Sequence, residues 1–313
     1  MKKNTKFMLH LGMAVGTITV LNAITLGKTV ALGKKYKRDD SLTYDWVHGR
    51  ISYTCEGEGK PILLIHNINS DSSKDEWSKV VPILAGRRRV YTLDVLGCGA
   101  SSKPYITYRN SIITGLISDF IRDVIGENTD VAGISGAVTP LLCASVRNSS
   151  MIDDIILINP DTVNEASEKI TYKSMIEKGI IDLPVIGTLI YNMEFSKTLL
   201  KFKLENLYFN SSANISLEDI DKYYYNAHRG LVRGKALFSS IIGRHMSADI
   251  SNIAKKLDNR MLIMVGRNAY NVREVVKQYS RLFPDAKTVI INNTKIMIPL
   301  DNHLACANAI LNF

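Results

Sequence analysis

Cysteine is scarce in this sequence and is never clustered. The four cysteines, Cys55, Cys98, Cys143 and Cys306, lie far apart and form no C-x-x-C pair. This spacing argues against a zinc site and against a disulfide framework. We therefore expect buried free thiols, no metal ion and no other cofactor.

A concentrated patch of positive charge is also missing. The net charge is +9, from 39 Lys and Arg against 30 Asp and Glu, but the cations are scattered, with local clusters only at 34–38 and 87–89. Nucleic-acid binding would need a basic face interleaved with aromatic residues, or a recognisable module, and neither is present. We expect no nucleic-acid partner. At 313 residues and 46% hydrophobic content, the chain can form one large α/β domain with an insertion.

One long apolar run is present, at the amino terminus. Phe7 to Gly27 carries no fixed charge, is about as long as a bilayer crossing and has lysines on both sides. The run predicts an apolar helix that anchors the protein in a membrane by a single pass, with 1–40 forming anchor and basic linker. The side of the membrane stays open. A signal-like segment or a helix in the membrane interface is the alternative, because His10 and Asn22 interrupt the run.

From Tyr44 onward, apolar strands alternate with helical patterns. Strand-like runs lie at Pro61 to Ile65, Arg89 to Leu93, Thr129 to Ala132 and Asp154 to Pro160. Unbroken apolar runs of this length are typical of strands buried on both faces of a parallel sheet. The alternation predicts a mostly parallel, doubly wound sheet built from 41–160 and 259–313. Between them, 161–258 reads as helical, with Ser216 and Asp219 as a capping box.

One strand-to-helix junction carries a motif of chemical interest. A short apolar strand runs through Gly133, Ile134, Ser135, Gly136 and Ala137 into an apolar helix. This is the layout of a G-x-S-x-G nucleophile elbow with alanine in place of the last glycine. Small residues on either side of the serine let strand and helix approach. Ser135 is the candidate nucleophile, and an ordinary strand-to-helix turn is the alternative.

Three motifs in order resemble the α/β-hydrolase superfamily, over roughly Tyr44 to Phe313. The run L-L-I-H-N-I-N-S-D-S-S-K-D-E-W resembles the family's strand, His-Gly oxyanion loop and helix. The run V-Y-T-L-D-V-L-G-C-G-A-S-S-K-P resembles its D-x-x-G-x-G-x-S-x-x-P loop, and the elbow is the third motif. More narrowly, the chain resembles the membrane-tethered hydrolase-like proteins of clostridial bacteria.

This resemblance implies an α/β-hydrolase fold, preceded by one apolar helix, with a helical cap over 161–258. It also implies an oxyanion hole made by the backbone N–H of Gly136 and that of Asn67 or Ile68. Asn67 stands where the family usually has glycine.

The remaining triad members implied by the resemblance are absent from their positions. Serine chemistry needs a general base and a carboxylate that orients it. Ala269 stands at the acid position. Counting from the last strand places Ile296 at the histidine position, and counting back from the following proline places Met297 there. His303 is the candidate substitute base, with a solvent-facing or capping histidine as the competing interpretation.

Two functions of different classes follow. In the first, the chain is a degenerate, membrane-tethered hydrolase fold, weak or inactive, that binds a small apolar ligand or a partner protein beneath its cap. In the second, it is an active esterase-like or lipase-like serine hydrolase that cleaves an acyl ester with a non-standard base. We favour the first, because loss of triad members leaves only weak activity from the oxyanion hole and binding. The oligomeric state is left open.

Overall fold

The computed structural model describes residues 16–17, 19–20, 22–25, 27–33, 35–36 and 41–313. In these residues eight strands form one sheet in the order β1-β2-β4-β3-β5-β6-β7-β8. The strands are β1 Leu42–Trp46, β2 Gly49–Glu56, β3 Pro61–Ile65, β4 Arg89–Leu93, β5 Thr129–Ile134, β6 Ile152–Ile158, β7 Met261–Gly266 and β8 Lys287–Ile291. Pairing is antiparallel from β1 to β2 and from β2 to β4, and parallel from there on. The predicted mostly parallel, doubly wound sheet is confirmed.

Helices cover both faces of the sheet. They are α1 Val81–Leu84, α2 Asn110–Phe120, α3 Val138–Arg147, α4 Val163–Ala166, α5 Tyr172–Asp182, α6 Ile186–Glu194, α7 Lys197–Lys203, α8 Leu217–His228, α9 Lys235–Ile242, α10 Ile250–Ala254, α11 Val272–Leu282, α12 Ile298–Asp301 and α13 His303–Leu311. Short 3-10 turns lie at Lys74–Trp77, Ser135–Ala137 and Ser212–Asn214, and π-helical turns at Ile121–Ile125 and Leu204–Tyr208.

The strand alternation sorts the core into two apolar clusters, one on each face of the sheet. In β3, Leu63 and Ile65 belong to one cluster, whereas Ile62 and Leu64 belong to the other. Successive side chains of a strand point to opposite faces, so an unbroken apolar run fills both clusters at once. All residues of β3, β5 and β7 are buried. Both faces at the centre of the sheet are therefore shielded from water. Polar side chains that could take part in chemistry lie at the strand ends.

The helical segment between β6 and β7 is more broken than its sequence pattern suggests. At its start, α4 and α5 are separate helices, because Thr171 begins α5 by accepting a hydrogen bond from Ser174 N through its hydroxyl. The capping box at the start of α8 is confirmed: Ser216 Oγ accepts from Asp219 N at 3.1 Å, and Asp219 Oδ2 accepts from Ser216 N at 2.8 Å. The division of the chain at 160 and 258 stays a prediction.

The predicted membrane anchor is wrong. No helix in the described part of the chain is both long and apolar enough to cross a membrane. Much of Phe7 to Gly27, on which that prediction and the membrane localisation rested, lies outside the described residues. Two of its described residues accept hydrogen bonds from the helices between β6 and β7: Asn192 Nδ2 donates to Asn22 Oδ1 at 2.8 Å, and Tyr224 OH donates to the backbone Thr25 O at 3.4 Å. Hydropathy alone cannot distinguish lipid from a protein surface that offers hydrogen bonds.

The four cysteines differ in exposure. All are free thiols; Cys98 and Cys306 are buried, and Cys143 is partly buried. Cys55 is exposed, so the prediction of burial is wrong for it. It lies near the end of β2, opposite Tyr91 of β4.

Candidate active site

The elbow lies at the carboxyl end of β5, near the middle of the sheet. Ser135 has φ 45, a left-handed conformation that is strained for any residue with a side chain. A Cβ added to Gly133 would lie 3.0 Å from Leu141 Cδ2 and 3.5 Å from Ala137 Cβ. Only small residues fit this junction, as its sequence pattern predicts. The structure thus holds Ser135 in the sharp turn of a nucleophile elbow.

Asn159 connects the elbow to the two loops that follow β7 and β8. Its carbonyl oxygen accepts a hydrogen bond from Ser135 Oγ at 3.1 Å. Its side-chain Oδ1 accepts from Gly266 N at 2.8 Å, and its Nδ2 donates to Lys295 O at 2.9 Å and Ile296 O at 2.7 Å. This residue has φ 42, a conformation that asparagine tolerates better than most residues. Asn159 was not predicted from the sequence, where its only signal is an asparagine before a proline at the end of a buried strand.

The predicted oxyanion hole is occupied by the protein itself. Gly136 N donates to the side-chain Oδ1 of Asn67 at 3.2 Å. Asn67 N donates to Glu76 Oε2 at 2.8 Å and so is already engaged. An oxyanion would have to lie about 3 Å from the Gly136 N–H and about 3 Å from a second backbone N–H, that of Asn67 or Ile68. Two of the three backbone donors named from the sequence therefore already have partners, and only Ile68 N has none among the described hydrogen bonds.

His66 supports the loop that carries Asn67. Its Nε2 accepts from Val95 N at 3.0 Å, and its Nδ1 lies 2.5 Å from Asn67 O. Burial lowers the pKa of His66 to about 4, although the nearby Asp94 carboxylate opposes this. The ring is neutral at physiological pH and has both nitrogens engaged. His66 is thus a positioning residue of the loop.

The positions named for the acid and the histidine contain no proton acceptor in their side chains. Ala269 is buried directly after β7. Ile296 contributes only its carbonyl oxygen, to Asn159, while Met297 is fully buried in an apolar cluster. His303 is the first residue of α13, a helix that packs against β8 and α1. Within the described residues, the Ser135 hydroxyl donates to a backbone carbonyl and to no imidazole.

A cavity of about 320 Å³ opens beside Gly136. Ile68, Ile241 and Met246 contribute apolar surface to its lining, and Asp161, Glu165 and Arg244 contribute charge. Arg244 Nε pairs with Glu168 at 2.7 Å. Burial raises the pKa of Asp161 to about 6, and the neighbouring Glu165 adds to this. The cavity is therefore mixed in character, with an aspartate that changes protonation near neutral pH.

Comparisons with known proteins place this geometry in a structural context. No protein-family model matches the chain. A 2-hydroxy-6-oxo-6-(2'-aminophenyl)hexa-2,4-dienoic acid hydrolase from Metapseudomonas resinovorans is 33% identical over 109 residues, covering 34% of this chain and 37% of that protein. An uncharacterised protein of Mycobacterium tuberculosis is 29% identical over 126 residues, covering 40% of this chain and 36% of that protein. The chain thus spans little more than a third of the length of these curated relatives.

Solved structures match over almost the whole of their own chains. A serine hydrolase involved in carbazole degradation superposes with a TM-score of 0.69 at 19% identity, covering 87% of this chain and 97% of that one. A bromoperoxidase from Bacillus anthracis gives 0.69 at 17% identity, covering 87% and 99%. A thermophilic esterase from Thermogutta terrifontis gives 0.70 at 14% identity, covering 87% and 97%.

The chain has the α/β-hydrolase fold. The fold implied by the sequence resemblance is therefore confirmed, and a hydrolase is among the sequence relatives. The narrower resemblance to clostridial hydrolase-like proteins stays a prediction. The membrane tether is no longer part of it, because the predicted anchor is wrong.

In this α/β-hydrolase fold, the glycine-rich loop after β4 is structural, as its sequence suggests. Asp94 Oδ1 accepts from Lys74 N at 2.7 Å, and its Oδ2 accepts from Ala100 N at 2.8 Å. Although burial opposes ionisation, Lys74 holds the pKa of this carboxyl below its usual value. Cys98 is buried and donates to Asn69 O, and burial raises the pKa of its thiol. Neither residue is available as a nucleophile.

Proposed function

We propose that this protein is a degenerate α/β-hydrolase, weak or inactive as a hydrolase, that binds a small ligand or a partner protein beneath the helices between β6 and β7. The hydrogen bond from Gly136 N to Asn67 Oδ1 carries the proposal. Loss of one oxyanion-hole donor costs about 10²–10³ in rate in a serine protease. Here a neutral amide occupies the site that a tetrahedral intermediate would need.

The environment of the serine hydroxyl supports the same proposal. A serine hydroxyl is a poor nucleophile until a neighbouring base takes its proton. Ser135 Oγ donates instead to Asn159 O, and a carbonyl oxygen cannot remove a proton at neutral pH. Ala269 and Ile296, at the acid and histidine positions, would then mark the two lost members of the triad. In their place, Asn159 links the loops that would have carried them.

The cavity beside Gly136 is the proposed binding site. Its volume of about 320 Å³ is within the range of small-molecule sites. A ligand with an apolar body would contact Ile68, Ile241 and Met246. No cofactor is proposed.

An active serine hydrolase is the second candidate, and the strained elbow favours it. The left-handed Ser135 costs energy, and such strain at a turn is found most often at functional sites. Besides His303, Asp161 is a possible base, because it lines the same cavity as Gly136 and has a pKa of about 6. Such an enzyme would cleave an acyl ester.

A fluorophosphonate probe separates the two candidates. For the degenerate hydrolase, labelling of wild type and of Ser135→Ala should be equally slow, and ester hydrolysis should match the buffer. Rapid labelling at Ser135, together with ester turnover that is lost in Ser135→Ala, would establish the hydrolase instead. Asp161→Asn and His303→Ala would then identify its base.

A second pair of variants tests the occupied oxyanion hole directly. Asn67→Gly removes the side chain that accepts from Gly136 N, so it should speed labelling of Ser135 by roughly tenfold or more. Asn67→Asp is the matched control, because it retains an acceptor oxygen at the same place. Equal labelling of wild type, Asn67→Gly and Asn67→Asp would show that this hydrogen bond does not limit reactivity.

A further inference from the structure

A second cavity lies on the other side of the oxyanion loop. It encloses about 150 Å³ between the turn Lys74–Trp77, α8 and α12. Its lining includes Asp71, Glu76, Phe209, Tyr223 and Leu300, and it shares no residue with the cavity beside Gly136. The proposed function makes no use of it.

Three buried side chains of this lining carry oxygen atoms that make no hydrogen bond with any described residue. Asp71 has 0% of its surface exposed, and neither carboxylate oxygen accepts a hydrogen bond from any described residue. Tyr223 is 6% exposed, and its hydroxyl is also without a partner. Glu76 Oε2 accepts from Asn67 N; its Oε1 meets the geometry of a hydrogen bond with no described residue, although the nearby Ser72 hydroxyl favours the ionised form. Buried polar groups are nearly always hydrogen-bonded, so an unpartnered cluster calls for an explanation.

The nearby cations are already engaged elsewhere. Lys203, which acts on Asp71 electrostatically, pairs with Glu194. Lys79 Nζ donates to Leu300 O at 3.3 Å, and Lys222 pairs with Glu218 at 3.3 Å. Asp71 therefore forms no ion pair within the described residues.

The protonation of Asp71 and Glu76 leaves about one negative charge on these two acids. The other charged residues of the lining are two acids and two lysines, Asp75, Asp219, Lys79 and Lys222, whose charges offset one another. Burial raises the pKa of Asp71 to about 6, and it raises the pKa of Glu76 to about 8. At neutral pH Asp71 is mostly ionised and Glu76 mostly protonated. A single positive charge would balance this site.

We propose that this cavity binds a small primary ammonium ligand. An ammonium group has three N–H donors, and the Asp71 carboxylate and the Tyr223 hydroxyl together offer three oxygens that have no partner among the described residues. Phe209 and Leu300 would contact its alkyl chain, and the aromatic faces favour a cation. The volume equals that of a cavity known to hold benzene, so about six heavy atoms fit. The described residues contain no group of three His, Cys, Asp or Glu side chains suited to a metal ion, which favours the organic cation.

This proposal does not depend on the proposed function. The link between Glu76 and Asn67 N does, however, connect the cavity to the oxyanion loop. A ligand in this cavity would lie beside Glu76. Glu76 accepts from Asn67 N, and Asn67 in turn accepts from Gly136 N through its side chain.

Isothermal titration calorimetry of the full chain with n-butylammonium chloride, at neutral pH and constant ionic strength, tests the proposal. We expect saturable one-to-one binding, and n-butanol, which has the same length without the charge, should bind at least roughly tenfold more weakly. Asp71→Asn should weaken butylammonium binding about tenfold or more. Asp75→Asn is the matched control, because Asp75 lines the same cavity but is exposed, and it should change the affinity less than about threefold.

Several results would overturn the proposal: no saturable binding, equal affinity for n-butanol, or equal weakening by Asp71→Asn and Asp75→Asn. Tyr223→Phe provides a second variant that keeps the ring and removes only the hydroxyl. It should weaken binding about threefold to tenfold while leaving n-butanol unaffected. If Asp71→Asn does not fold, an unchanged affinity in Tyr223→Phe overturns the proposal by itself.

Discussion

Replacing Asp71 by asparagine should stabilise the protein at neutral pH and leave its stability unchanged in acid. Asp71 is fully buried, and both of its carboxylate oxygens lack partners in the described structure. Burial raises its pKa from an ordinary 3.8 to about 6. One pKa unit corresponds to about 1.4 kcal/mol, so the ionised group destabilises the folded state by about 3 kcal/mol. Asparagine has nearly the same shape and no charge to bury.

The pH dependence follows from the direction of the shift. Because the folded state holds the Asp71 proton more tightly than the unfolded state does, wild-type stability falls as the pH rises from about 4 through about 6. Below about 4 the carboxyl is protonated in both states, and its contribution disappears. The advantage of Asp71→Asn should therefore be absent in acid, grow through this window and level off near neutral pH at about 1–3 kcal/mol, since the amide is also buried without partners.

Urea unfolding at a series of pH values measures this difference. Trp77 is fully buried beside Glu76, so tryptophan fluorescence reports on this region. Glu76 is present in both proteins, but the Asp71 charge helps to raise its pKa, so part of the gain comes from the relief of Glu76. Asp45→Asn is the control, because Asp45 is a surface residue paired with Arg50 and should change stability by less than about 1 kcal/mol. An Asp71→Asn variant that is equally or less stable than wild type at neutral pH would refute the reasoning.

Three further substitutions test the framework of the site by chemical unfolding. Asn159→Ala removes three side-chain hydrogen bonds and leaves Gly266 N without its partner, so we expect a loss of about 3 kcal/mol; a loss below about 1 kcal/mol would contradict the linking role. Gly266→Ala should cost at least about 2 kcal/mol, because its Cβ would lie 2.1 Å from Lys295 O, and wild-type stability would show that this loop moves freely. Ser216→Ala removes the cap of α8 and should cost about 1 kcal/mol, whereas Ser216→Gly should cost only a few tenths.

Local sequence patterns determined the sheet and the elbow. Pro61–Ile65 is apolar without interruption, which is typical of a strand buried on both faces of a parallel sheet. Gly133 and Ala137 flank Ser135 at the spacing that a sharp strand-to-helix turn requires. The capping box at Ser216 was equally local, because its two hydrogen bonds join residues three positions apart.

Tertiary structure alone decided what surrounds the serine hydroxyl and the oxyanion site. Asn67 and Gly136 are 69 positions apart in the chain, and nothing near either residue predicts that the side chain of one accepts from the backbone of the other. Asn159 likewise joins loops more than a hundred positions away. The burial of Asp71 and the contact between Asn22 and Asn192 have the same origin. Backbone periodicity is a local property, whereas the partner of a polar side chain depends on which distant segments the fold brings to the same end of the sheet.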